Sequence, residues 1–101
     1  MSSVQIGCVK AATEVLGDKW TPQLLRFLAN EKRVRFCQLQ DLTDGINPRT
    51  LSARLESLET HGIVRKEPTT SPSRCCYSLT KKGEELLPII RSMETWSEHY
   101  A

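Results

Sequence analysis

The sequence predicts one mainly helical domain over residues 1–101, with a small β-hairpin between its first helices and a long C-terminal helix. Three observations predict it. Apolar residues recur at helical spacing in several segments. A turn, a helix cap and a proline fall in order between residues 43 and 48. Two short strand-like runs flank a loop of proline, serine and threonine at 68–73. With 101 residues, 26% charged and 39% apolar, the chain has the size and balance of one ordinary globular domain. No stretch approaches the roughly 20 consecutive apolar residues of a membrane helix. Met1-Ser2-Ser3-Val4-Gln5 lacks the basic and apolar regions of a secretion signal. The expectation is a cytoplasmic protein without membrane contact.

The first helix is read at 8–16, with Cys8, Ala12, Val15 and Leu16 on one side and Gly17 ending it. Asp18 caps a second helix that holds Leu24, Leu25, Phe27 and Leu28, tolerates Pro22 in its first turn and closes at Asn30. A third is read at 35–42, with Phe36, Leu39 and Leu42 on one face. Thr43-Asp44-Gly45 is then a turn, Asn47 an N-cap and Pro48 the first helical residue, where a missing N–H costs nothing. Ile46 can staple onto Leu51. This helix runs to about Thr60, with Leu51, Leu55 and Leu58 inward and Arg49, Ser52, Ala53 and Glu56 outward. Strands are read at 63–67 and 74–79. Thr80 caps a single last helix reaching about 100, locally bent at Pro88 and about 31 Å long.

Charge is uneven along the chain. The net value is only +2, but residues 32–74 carry eight basic groups against five acidic ones. Six of the eight are arginines, whose planar guanidinium suits phosphate oxygens. The four cysteines contain no Cys-x-x-Cys pair, and Cys75-Cys76 point to opposite faces of a strand, so no metal site is expected. No cofactor is expected either, since no glycine-rich phosphate loop or metal-spaced histidine pair occurs. His61 and His99 sit near helix ends, Cys37 reads as a packing residue, and catalysis is not expected.

Two helices joined by a tight turn, then a hairpin, is the order of a winged helix-turn-helix. In that layout the helix from Pro48 is the recognition helix, and Asn47, Pro48, Arg49, Thr50, Ser52, Ala53 and Arg54 are its DNA-facing candidates. Small residues at 52 and 53 let the backbone approach base edges. The hairpin is the wing, with Arg65, Lys66 and Arg74 at its base and Ser71 and Ser73 near its tip, placed for phosphates or a minor groove. The same charges would also suit a solvated ribbon, and a winged helix used for protein contacts alone is the alternative.

From Leu16-Gly17-Asp18-Lys19-Trp20-Thr21, through Ile46-Asn47-Pro48-Arg49-Thr50-Leu51-Ser52-Ala53-Arg54-Leu55, to Tyr77-Ser78-Leu79-Thr80-Lys81-Lys82-Gly83, the chain resembles the HxlR-type transcriptional regulators of the MarR-like winged-helix superfamily. It departs from their pattern at Val9, at Asp18 and at Cys75-Cys76. The resemblance implies a homodimer, built mainly from the first and last helices, on a palindromic operator in double-stranded DNA. The interface candidates are Val9, Ala12, Leu86, Ile90, Met93, Trp96 and Tyr100, because the last helix carries a wider apolar stripe than so small a domain can cover. Cys8 stands at the start of a helix, where the helix dipole favours thiolate. The family resemblance implies an oxidant or electrophile response there, with a small-molecule or oxidant effector; burial at the interface is the other reading of this thiol.

Overall fold

A computed structural model describes residues 9–67 and 75–101. The elements follow in the order α1 (Val9–Leu16), α2 (Thr21–Asn30), β1 (Val34–Arg35), α3 (Phe36–Leu42), α4 (Pro48–Thr60), β2 (Val64–Glu67), β3 (Cys76–Leu79), α5 (Lys81–Glu84) and α6 (Leu87–Tyr100). Cys8, Ser71, Ser73 and Arg74 lie outside the described residues.

The helix boundaries follow local chemistry. One carboxylate oxygen of Asp18 accepts the N–H groups of Trp20 and Thr21, each at 2.8 Å, and its other oxygen accepts the Thr21 hydroxyl at 2.6 Å. That satisfies donors that no helical carbonyl reaches. The side chain of Asn47 accepts the N–H of Thr50 at 2.8 Å, as an N-cap should, and Pro48 opens α4. Gly45 and Gly62, on either side of this helix, have φ of 87° and 74°, a conformation few other residues adopt. The Thr80 hydroxyl accepts the N–H of Gly83 and caps α5.

The core is aliphatic and is shared by nearly every element. Leu24, Leu25 and Leu28 from α2, Val34 from β1, Leu39 from α3, Leu51, Leu55 and Leu58 from α4, Val64 and Tyr77 from the sheet, and Ile90 from α6 form one buried cluster. Ile46, at the mouth of α4, is buried with them, as its stapling role requires.

Four expectations need correction. The β-structure is a three-stranded antiparallel sheet in the order β1-β3-β2, not a two-stranded hairpin, with Val34 opposite Tyr77 and Val64 opposite Leu79. The last helix is two helices. The chain breaks at 85–86, and Pro88 lies in the first turn of α6, where its missing N–H is harmless, rather than in a bent helix interior. Leu42 is exposed, so the inner face of α3 is made by Leu39 and Phe36. Cys37 is exposed as well and does not pack.

Candidate nucleic-acid interface

The core face of α4 fixes what its other face presents. With Leu51, Leu55 and Leu58 buried, the 3.6-residue period turns Arg49, Ser52, Ala53 and Glu56 outward, and all four are exposed. Asn47 and Pro48 are exposed at the start of the helix, and Thr50 is half-buried. Arg49 forms no ion pair with a described residue, so its five donors are available to an external anion. Ser52 and Ala53 add little bulk beside it.

Arg54 stands differently. Its guanidinium meets the Asp18 carboxylate at 3.5 Å, which ties α4 to the start of α2. It is a half-buried flank residue with a partner inside the chain. Nothing in the local sequence announces this contact, because the partners are 36 positions apart.

Alternation along β2 buries Val64, but both Arg65 and Lys66 are exposed, and neither pairs with a described carboxylate. The neighbouring strands add cations that were read only as part of the basic middle of the chain. Arg35, exposed on β1, has no ion pair among the described residues. Arg33, just before it, reaches across the sheet to Glu67 at 2.8 Å. The missed signal was Val34-Arg35 as a strand. Two residues show no alternation, but they bring both arginines to the edge of the wing sheet.

The interface candidates divide. Val9, Met93, Trp96 and Tyr100 are exposed, together with Ile89, which the sequence reading omitted. Ala12 is half-buried. Ile90 is 2% exposed and belongs to the chain's own core, and Leu86 packs against that core, so these two leave the exposed stripe. On α6 the period explains it: residue 90 faces α2, while 89, 93, 96 and 100 share another side. Arg26 on α2 bonds Glu94 on α6 at 2.5 Å beside this boundary.

A capped helix presented beyond a tight turn, followed by the strands of a small antiparallel sheet, defines a winged helix-turn-helix protein. Comparison with known proteins narrows the class. The HxlR-like helix-turn-helix family matches residues 15–101. An uncharacterised HTH-type transcriptional regulator of Halalkalibacterium halodurans is 37% identical over 83 residues, covering 81% of this chain and 74% of that protein. The redox regulator HypR in its oxidised form superposes with a TM-score of 0.84 at 31% identity, over 94% of this chain and 98% of HypR. A structure assigned to the MarR family, from Porphyromonas gingivalis W83, superposes with a TM-score of 0.86 at 26% identity, over 100% of this chain and 98% of its own. The chain therefore belongs to the HxlR-like helix-turn-helix family and is a transcriptional regulator of that type, with a MarR-like fold.

Proposed function

We propose that this regulator acts as a homodimer on a palindromic operator in double-stranded DNA, with α4 in the major groove and the wing on flanking phosphates. The observation that carries the reading is the outward face of α4: an exposed Arg49 with no ion pair among the described residues, beside the small residues Ser52 and Ala53, on a helix held by a cap and an aliphatic core. Arginine reads guanine O6 and N7 in a bidentate way, and small neighbours allow the close approach this needs. In this reading the Asn47 side-chain NH2 and the Thr50 hydroxyl donate to phosphates at the groove's edge, with Pro48 beside them. Arg65 and Lys66, with Ser71, Ser73 and Arg74 of the segment that follows β2 in sequence, supply sequence-independent affinity. Arg54 joins them as a positioning group that holds α4 against Asp18.

Dimerisation is supported by the exposed stripe of Ile89, Met93, Trp96 and Tyr100 on α6 and by exposed Val9 on α1. A second copy covering them would place two recognition helices about one DNA turn, roughly 34 Å, apart. A redox response through Cys8 is supported by the similarity to HypR. A cytoplasmic location fits a regulator with no described helix long and apolar enough to cross a membrane.

The test is a gel shift on the duplex upstream of the protein's own gene. Arg49→Ala should weaken binding by about 1–3 kcal/mol if the side chain touches a base. No shift by the unaltered protein, with Arg49→Ala indistinguishable from it on every duplex, would replace DNA binding with a protein-contact role. Oxidant should release the DNA, and Cys8→Ser should abolish that release; a Cys8→Ser protein that still responds would remove Cys8 as the sensor.

A further inference from the structure

At the edge of the wing sheet lies a cleft of about 570 Å³ lined by Arg33, Arg35, Cys37, Gln38 and Cys76. Two thiols and two guanidiniums in one concavity are not accounted for by reading DNA with α4. The fold brings them there from separate segments. Arg35 and Cys76 are register partners across β1 and β3, and Cys37 lies two residues beyond Arg35, in the first turn of α3. Gln38 is turned by accepting the N–H of Arg35 at 3.0 Å. Arg33 pairs with Glu67, and Arg35 is the guanidinium of the cleft that has no ion pair among the described residues. Cys37 is exposed, so a solute can reach its sulfur, whereas neighbouring Cys75 is buried.

We propose that this cleft is a thiol-exchange site for small anionic disulfides, with Cys37 as the attacking sulfur and Arg35 as the group that selects for negative charge. The Cys37 thiol loses its proton to solvent, and the thiolate attacks one sulfur of the incoming disulfide. The S–S bond of that molecule breaks, a new bond joins its one half to Cys37, and the other half leaves with the electron pair and takes up a proton. Cys37 is oxidised and the departing thiol is reduced, so no other oxidant is required. The adduct leaves a negatively charged group on α3, in the cleft it shares with Arg35 and Cys76 of the sheet that also carries Arg65 and Lys66. Resting on the DNA-binding reading above, this predicts that the adduct lowers affinity for duplex by opposing the phosphate contacts.

The experiment uses the full chain carrying Cys8→Ser, so that the N-terminal thiol does not compete. It is treated with a dianionic disulfide, 5,5′-dithiobis(2-nitrobenzoate), or with dicationic cystamine, and peptide mapping by mass spectrometry reads the rate of labelling at Cys37. Cys37 should prefer the anionic reagent, and Arg35→Ala should slow labelling by that reagent about five-fold, the effect of one unit-charge attraction close by in water, and so reduce the preference. Cys37→Ser should remove the adduct from this peptide, while Cys76→Ser should retain it. Absence of labelling at Cys37 in the folded protein would overturn the site. So would equal labelling by both reagents that ignores Arg35, which marks only an exposed thiol. Duplex retention is measured on the same samples. Unmodified protein that binds no duplex while Cys37 still labels selectively contradicts the DNA reading and leaves the thiol site standing.

Discussion

Asp18 shows how one side chain serves two elements. It holds the start of α2 through Trp20 and Thr21 and reaches Arg54 on α4. Burial pushes its pKa up, but the hydroxyl and N–H of Thr21, the N–H of Trp20 and the Arg54 charge together outweigh this and hold it below its usual 3.8. A carboxylate whose pKa is lower folded than unfolded contributes its full stability above the unfolded value. That contribution fades as pH falls through the folded one. Asp18→Ala should therefore cost about 1–2 kcal/mol at pH 7, the size of a lost cap. Its stability should also fall less than the unaltered protein's between about pH 5 and pH 2, since the group that titrates is gone. Urea denaturation at several pH values reads both, and parallel curves for the two proteins would contradict the assignment. The N-cap position itself is Trp20, and Asp18 reaches the first N–H groups from two residues further out. The role of Asp18 at the start of α2 was still legible, because aspartate stood before a helical apolar pattern. The tie to Arg54 was not, because a contact made by tertiary packing leaves no trace in local spacing.

At the scale of elements, the best-read segment was the run from Thr43 to Thr60, where turn, staple, cap, proline and aliphatic face all agree. What escaped was structure with too few residues to show a period, namely β1, and the break between α5 and α6. Leu86 and Leu87 continued the apolar pattern through that break, so Pro88 read as a bend rather than as a new start. The break has a close packing point just before it. Gly83 is buried in α5, and a Cβ there would fall inside contact distance of the Ile63 carbonyl oxygen, against the end of α4's following turn. That oxygen already accepts the N–H of Thr80 at 3.0 Å and so is not free to move. Gly83→Ala should destabilise the protein by about 1–3 kcal/mol through overpacking, read as a lowered thermal midpoint. An unchanged midpoint would show that α5 can shift away from the sheet without cost.

The whole molecule is more extended than a self-contained domain of its length. Its radius of gyration is 14.9 Å, against about 13 Å for a compact chain of 100 residues. Among the described residues, and apart from Leu42 on α3, the large apolar side chains left uncovered lie on the terminal helices: Val9 on α1, and Ile89, Met93, Trp96 and Tyr100 on α6. Trp96, 62% exposed and in tilted ring contact with Tyr100 at 5.4 Å between centroids, is the largest of them. Trp96→Asp should convert a dimer to a monomer by sedimentation at micromolar concentration while leaving the helical content intact, since the side chain contributes nothing to the monomer's core. A variant that still sediments as a dimer would move the interface elsewhere. The central claim, that α4 and the wing lie on duplex DNA, is tested most directly by the salt dependence of binding, followed by fluorescence anisotropy on the upstream duplex. Affinity should fall steeply as salt rises, and Lys66→Ala should reduce the slope of log K against log salt by about one. A binding constant indifferent to salt, or a slope that Lys66→Ala leaves untouched, would contradict it.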